Sequence, residues 1–228
     1  MSTIKSSDSQ PDRVAKTRSS YDALAEEYAK NISDELDHRP RERDLLKRFA
    51  QQCRKRGLVC DVGCGPGHVA RYMREFHPDV IGLDLSHKLL RQAQHRNPEA
   101  GFIQGDMLAL PFASGKLGGI VAFYSIIHLD PEQVDQALAE MRRVLKPEGQ
   151  ILLGFHVGTN IVHVDELWGV KVDLDARFFP MDDLIGRLTT LGFGVVEQLQ
   201  RDPYPEVEYQ SVRGYIWAAR TANQTPEG

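Results

Sequence analysis

Apolar positions along the chain follow two periods. Tyr21, Leu24, Ala25, Tyr28 and Ile32 recur at helical spacing, with Ser19 or Ser20 placed to cap the start. Leu45, Leu46, Phe49 and Cys53 mark a second helix, with Pro40 near its start and Gly57 past its end. Residues 58–62 then read as a buried strand, and residues 80–83 as another, closed by Asp84. Ser86 is placed to cap a helix carrying Leu89, Leu90 and Ala93, which Asn97 and Pro98 stop. Residues 102–103 give a short third strand and residues 120–124 a fourth. Asp130, Pro131 and Gln133 together form a helix-start signal: a cap, a proline at the first helical position, and a reciprocal side chain three residues after the cap. The stripe Val134, Ala137, Leu138, Met141, Val144, Leu145 follows, ended by residues 146–149. Residues 151–155 are a fifth strand. Leu184, Ile185, Leu188 and Leu191 form a last helix before Gly192, and residues 195–199 and 212–219 can pair as final strands. Strands alternating with helices imply an α/β fold, a mostly parallel sheet covered on both faces. Residues 156–179 fit no α/β unit, and a connection of that length points to function.

Composition narrows the classes. With 41% hydrophobic and 26% charged residues among 228, the chain reads as one soluble domain, residues 19–220, with loose tails at 1–18 and 221–228. A net charge of −4 argues against a dedicated nucleic-acid binder, so no DNA partner is expected. The three cysteines, Cys53, Cys60 and Cys64, are an odd set. Cys60 and Cys64 lack a second ligand pair, so no metal site is expected. Residues 1–13 have no apolar core of a signal peptide, and no apolar run reaches membrane-spanning length; a cytoplasmic location with no membrane partner is expected.

The most informative segment runs from Val59 through Gly63, Cys64, Gly65, Pro66 and Gly67 to His68: a strand, a glycine-rich turn, a helix. Glycines allow a tight turn and let a ligand approach the main chain with no Cβ in the way. Asp84 closes the next strand, 23 positions after Asp61. A carboxylate there can accept from both hydroxyls of a ribose. A nicotinamide dinucleotide would use the same acid, but its pyrophosphate calls for G-x-G-x-x-G, whereas this turn reads G-x-G-x-G.

The run Asp61-Val62-Gly63-Cys64-Gly65-Pro66-Gly67 resembles the first motif of the class I S-adenosylmethionine-dependent methyltransferases. The resemblance continues through residues 82–86, residues 105–112, Tyr124-Ser125-Ile126-Ile127-His128-Leu129, and residues 142–150. It implies a Rossmann-like, doubly wound sheet of about seven strands with an antiparallel last strand, and an N-terminal helical cap at residues 19–56. It also implies S-adenosyl-L-methionine as cofactor and S-adenosyl-L-homocysteine as product. By resemblance, Asp61, Gly63, Cys64 and Gly65 hold the methionine moiety, largely through backbone groups. Asp84 takes the ribose, and Leu85 lies on the adenine. Asp106 and the Met107 backbone N–H, with Leu108 beside them, read the adenine edge, and the Tyr124 backbone meets the methionine ammonium. Tyr21 and Tyr28, on the helix resembling the family's cofactor cap, either reach the cofactor carboxylate or roof the site.

A sulfonium is already an activated methyl donor, so proximity, orientation and water exclusion matter most. A base is needed where the acceptor must lose a proton. His128, after the fourth strand, is the first candidate and His156, after the fifth, the second; either can instead merely order its loop. His163 and Asp165 alternate onto one strand face, where with His156 they offer a metal site or a polar rim; no metal is expected. The expected acceptor is a small molecule with an O, N or C nucleophile, bound between residues 21–28, the His128 loop and an acceptor-site insertion at residues 156–179. Tyr124-Ser125-Ile126-Ile127 is not the Asn/Asp-Pro-Pro-Tyr/Phe-type run of exocyclic-amino DNA methyltransferases. A protein or RNA acceptor, or a non-catalytic cofactor-binding subunit, stays open as an alternative, as does the oligomeric state.

Overall fold

The computed structural model describes residues 10–221, with side chains from Arg13 onward. Its elements in chain order are α1 (Gln10–Ile32), α2 (Pro40–Cys53), β1 (Val59–Val62), α3 (His68–Arg74), β2 (Val80–Asp84), α4 (His87–Arg96), β3 (Gly101–Gln104), β4 (Leu117–Phe123), α5 (Pro131–Val144), β5 (Leu145–His156), β6 (Ile161–Leu167), β7 (Val170–Arg177), α6 (Met181–Thr190), β8 (Phe193–Arg201) and β9 (Arg213–Arg220). Seven strands form one sheet in the order β3-β2-β1-β4-β5-β9-β8. β1 to β5 are mutually parallel, and β9 runs antiparallel to both β5 and β8. This is the doubly wound architecture expected, its last strand in chain order being the antiparallel one.

The strand period of two divides the core between the sheet's faces. Ile151, Leu153 and Ile216 face α5 and α6 with Ile120, Leu138 and Leu188. Leu152, Tyr215 and Trp217 face the other way, onto Leu45, Phe49 and Met73 of α2 and α3. Both faces being covered, residues 151–153 are all fully buried, which is why the fifth strand reads as an unbroken apolar run. The helix starts follow the chemistry of their caps. Ser86 accepts from the Leu89 N–H, and Asp130 and Gln133 form both halves of a capping box.

Four expectations are revised. α1 begins at Gln10, so residues 10–18, expected as a loose tail, are helical, while residues 1–9 lie outside the described residues. Ser20 does not cap it. Its Oγ instead exchanges hydrogen bonds with the Asp173 backbone, accepting from N at 3.0 Å and donating to O at 3.3 Å. Residues 156–179 are no open loop: β6 and β7 pair antiparallel as a separate two-stranded sheet laid against α1. β5 starts at Leu145, because the chain pairs Leu117 with Leu145, bulges through Lys146–Gly149 with Glu148 at φ 60°, and resumes at Gly119–Gln150. The expected tail at 221–228 falls, after Thr221, outside the described residues.

Candidate active site

The carboxyl ends of β1, β2 and β4 open into a cavity of about 990 Å³, roofed by α1, the β6–β7 hairpin and the β8–β9 loop. Its floor is the glycine turn. Gly63, Gly65 and Gly67 hold φ of 75°, 53° and 79°, values that L side chains rarely adopt. The N–H groups of Gly63 and Cys64 both donate to the Leu83 carbonyl, at 2.7 and 3.0 Å, locking the turn to β2. A Cβ on Gly63 would fall 2.3 Å from Ser125 Cβ, so the close approach of the β1 and β4 ends also demands glycine.

Asp84 sits at this floor, 7% exposed. Its Oδ2 accepts from the Gly65 N–H and its Oδ1 from the Ser86 N–H, both at 2.8 Å. Each oxygen keeps a lone pair for a further donor, the arrangement a ribose diol requires. Burial pushes Asp84 up to about 6 against those backbone donors. Asp61 accepts from the Ala70 N–H at 3.1 Å and is pushed up by burial to about 7. It thus ties β1 to α3 beneath the turn. Asp106 accepts from the Leu108 N–H at 2.9 Å. Leu85, Asp106 and Met107 line the cavity; Leu108 does not, its side chain lying in the core on the α5 side. Tyr124 follows β4 at φ 52°, its N–H spent on the Gly154 carbonyl at 2.7 Å. These residues fit an adenosyl amino acid: a diol acceptor, a carboxylate beside a backbone N–H at the cavity's edge, and a turn stripped of side chains.

The roof is aromatic. Trp168, at the hairpin turn, meets Tyr28 at 5.8 Å between ring centroids, Tyr28 meets Tyr21 at 5.4 Å, and Tyr21 meets His128 at 5.3 Å. His128 Nδ1 lies 2.8 Å from the Asp175 carbonyl, which can only accept, so Nδ1 carries the proton. Burial holds the ring's pKa below its ordinary value, so the imidazole is neutral and Nε2 accepts from the Tyr21 hydroxyl at 2.7 Å. His156 lines the same cavity, stacked 4.8 Å from Phe178, with Nδ1 3.1 Å from Arg213 Nη1 and 2.6 Å from Ser211 Oγ. Burial, with Arg213 adding to it, pushes it down to about 3. His163 stands apart on the hairpin between Asp165 and Asp175, at 2.9 and 2.7 Å, and does not line the cavity. His156, His163 and Asp165 therefore do not converge, and among the described residues no three His, Cys, Asp or Glu side chains are grouped as metal ligands.

A buried ionic network behind the cavity was not read from the sequence. Glu42, 1% exposed, accepts from Arg201 and from the Tyr215 hydroxyl, to which Tyr124 donates at 2.6 Å. Glu208 receives Arg201 at 2.5 Å and Arg213 at 3.2 Å, and Arg39 reaches Glu35 at 2.9 Å. Burial works against the Glu208 and Glu35 charges, but hydrogen-bonded and neighbouring cations hold both below the ordinary carboxylate range. Glu208 thereby pins the β8–β9 loop, whose residues 205–210 line the cavity mouth. One signal was available: Glu42 falls on the same helical stripe as Leu45, Leu46, Phe49 and Cys53, so it had to be buried. The arginines carry no such mark.

Residues 59–149 match the family described as a methyltransferase domain. The malonyl-[acyl-carrier protein] O-methyltransferase of Pseudescherichia vulneris is 30% identical over 115 residues, covering 50% of this chain and 45% of that protein. The demethylmenaquinone methyltransferase of Renibacterium salmoninarum is 34% identical over 95 residues, 42% of this chain and 39% of that one. The aligned part of the chain thus spans less than half the length of either relative. In fold, the chain is similar to the Burkholderia thailandensis 1,6-didemethyltoxoflavin-N1-methyltransferase, solved with 1,6-didemethyltoxoflavin and S-adenosylhomocysteine. The TM-score is 0.74 at 18% identity, covering 96% of this chain and 94% of that one. A DhpI–S-adenosylhomocysteine complex gives 0.72 at 17%, covering 94% and 100%. Residues 59–149 thus carry a methyltransferase domain, and the fold of the chain is that of the S-adenosylmethionine-dependent methyltransferases it resembles. Among the described residues no helix is long and apolar enough to cross a membrane.

Proposed function

We propose that this protein transfers the methyl group of S-adenosylmethionine to an O, N or C nucleophile of a small, partly apolar acceptor. The observation that carries this is one cavity with two differently built ends. The glycine turn, Asp84 and Asp106 line one end, and the hairpin's Val162, Val164, Leu174 and Phe178 line the other. About 990 Å³ exceeds what a nucleoside cofactor alone needs and leaves space for a second small molecule.

In this reading the cofactor supplies an electrophilic methyl, and the chain supplies position and dryness. Asp84 takes the ribose, Asp106 with the Met107 N–H takes the adenine edge, and Leu85 covers its face. Asp61, Gly63, Cys64, Gly65 and the Tyr124 backbone frame the methionine end. Arg39, 8% exposed and lining the same cavity, adds a cation suited to the cofactor carboxylate. Tyr28 and Trp168 close the roof against water. His156, with its pKa near 3, stays neutral and serves as a stacked wall for the acceptor. The hairpin of residues 156–179 is the acceptor-site insertion.

Calorimetry with S-adenosylhomocysteine and with NAD tests the cofactor half: micromolar binding of the former and none of the latter is expected. Incubation with S-adenosylmethionine and a metabolite library, read as a mass gain of one methyl group, tests the acceptor half. Binding without transfer to any metabolite, and transfer to tRNA or a protein instead, would overturn the small-acceptor reading.

A further inference from the structure

The hydrogen bond that fixes His128 also caps it. A neutral imidazole has a single basic lone pair, and on His128 that lone pair, at Nε2, is taken by the Tyr21 hydroxyl at 2.7 Å. The other nitrogen is tied to the Asp175 carbonyl at 2.8 Å. An acceptor in the cavity therefore meets a phenol oxygen where a direct base would expose its nitrogen. That phenol stands over the cofactor end: Tyr28 and Asp84 are its charged or titratable neighbours, and Tyr28 Cε1 lies 3.5 Å from where a Cβ on Gly65 would be. Tyr21 and His128 come from α1 and from the turn after β4, over 100 positions apart in sequence, yet both line the one cavity.

We propose that Tyr21 is a catalytic residue that relays the acceptor's proton to His128, so that the acceptor class is one whose reacting atom carries a dissociable proton: a hydroxyl, a ring N–H or a carbon acid. The inference rests on the methyl-transfer reading above. The acceptor's X–H proton passes to Tyr21 Oη while the phenol's own proton passes to His128 Nε2. The electron pair left on X forms the bond to the methyl carbon, and the C–S pair stays on sulfur, cancelling the sulfonium charge. Tyr21 ends as a neutral phenol and His128 as imidazolium, whose proton returns through Tyr21 to water once product has left. The burial that lowers the His128 pKa and raises that of Tyr21 keeps both neutral at rest, which is the state the relay starts from. The groups facing the pair are Tyr28 on α1, Asp84 at the end of β2, Asp175 on β7 and, from β5, His156.

Two measurements test this. The first uses no acceptor: nitrogen-15 NMR of the histidine rings in the S-adenosylhomocysteine complex, with His128→Gln for assignment. The expected spectrum has His128 protonated at Nδ1 and bare at Nε2 near neutral pH, and Tyr21→Phe shifts the Nε2 resonance and moves the titration of that ring. A ring protonated at Nε2, or one blind to Tyr21→Phe, overturns the relay. The second compares two probes, lumazine, which carries ring N–H protons, and 4-nitrothiophenol, a thiolate already at neutral pH. Tyr21→Phe is expected to slow transfer to lumazine about 100-fold and to abolish the acidic limb of its pH–rate profile. Because Tyr21 also roofs the cavity, transfer to the thiolate and affinity for S-adenosylhomocysteine serve as internal references, and the lumazine rate is expected to fall at least about tenfold more than either. Equal losses with both probes, or a wild-type protein that methylates the thiolate alone, overturns the proposal. Loss of S-adenosylhomocysteine binding in the wild-type protein would instead overturn the cofactor reading on which it rests.

Discussion

The two ends of the cavity are built by opposite means. The glycine-turn end is made within some fifty residues of chain, from backbone N–H groups, positive-φ glycines and carboxylates that end strands or follow them. The end proposed for the acceptor is made of side chains brought together from α1, the turn after β4, β5, the hairpin and the β8–β9 loop, and is braced by ion pairs such as Glu42–Arg201 that span most of the sequence. Backbone geometry is fixed locally and tolerates surrounding change. A wall of side chains depends on every element that carries one, and can be re-specified by changing a loop. On the proposed reading, the same cofactor end could be kept while the other end is rebuilt for a different acceptor.

The largest effect that would separate the ends is Glu42→Ala. It strips Arg201 and Tyr215 of a buried carboxylate and is expected to cost about 3–5 kcal/mol of stability, read as a lower midpoint in urea unfolding. A midpoint shift worth less than about 1 kcal/mol would mean that the network does not hold the acceptor end together. Asp84→Ala comes next. Loss of charge-assisted bonds to the ribose is expected to weaken S-adenosylhomocysteine binding by about 1.5–3 kcal/mol, with little change in folding, and calorimetry measures it directly.

The acidity of Asp84 gives a third test at the cofactor end. Its pKa in the free protein is raised to about 6, and ribose hydroxyls donate best to the ionised form. Affinity for S-adenosylhomocysteine is therefore full above that value and falls as the pH drops through it, by at most about tenfold per pH unit. The same titration with Asp84→Asn should be flat at this step; persistence of the step would assign it to Asp61, which is raised to about 7. Trp168→Ala probes the other end with the smallest expected effect. It removes a half-exposed ring from the hairpin turn and the contact to Tyr28, raising the acceptor KM several-fold while S-adenosylhomocysteine affinity stays within about twofold. A matching loss of cofactor affinity would show that the hairpin belongs to the cofactor end.

Legibility followed the same division. The conformation of the glycine turn and the capping box at Asp130 were readable because each is made by residues a few positions apart, so spacing alone encodes geometry. The sheet was readable because apolar runs and helical stripes alternate. Misreadings arose where distant contacts override local signals. Ser20, a good cap by type, spends its hydroxyl on Asp173 of the hairpin, and α1 runs on past it to Gln10. Residues 156–179 read only as a long connection that fits no α/β unit, because the pairing of β6 with β7 and their packing on α1 are tertiary contacts.

The sequence by itself determined the fold class, the strand that closes on Asp84 and the glycine turn before α3, since those rest on short-range stereochemistry: φ values open to glycine, helix caps, and the period of two. Only the tertiary structure decided which histidine faces what. It set the tautomer of His128 through the Asp175 carbonyl and the Tyr21 hydroxyl, and it withdrew His163 from the cavity. It also gathered Arg39, Arg201 and Arg213 around Glu35, Glu42 and Glu208. Proton positions and buried charges depend on partners at 2.5–3.5 Å, and no spacing in a chain announces a partner more than a hundred residues away.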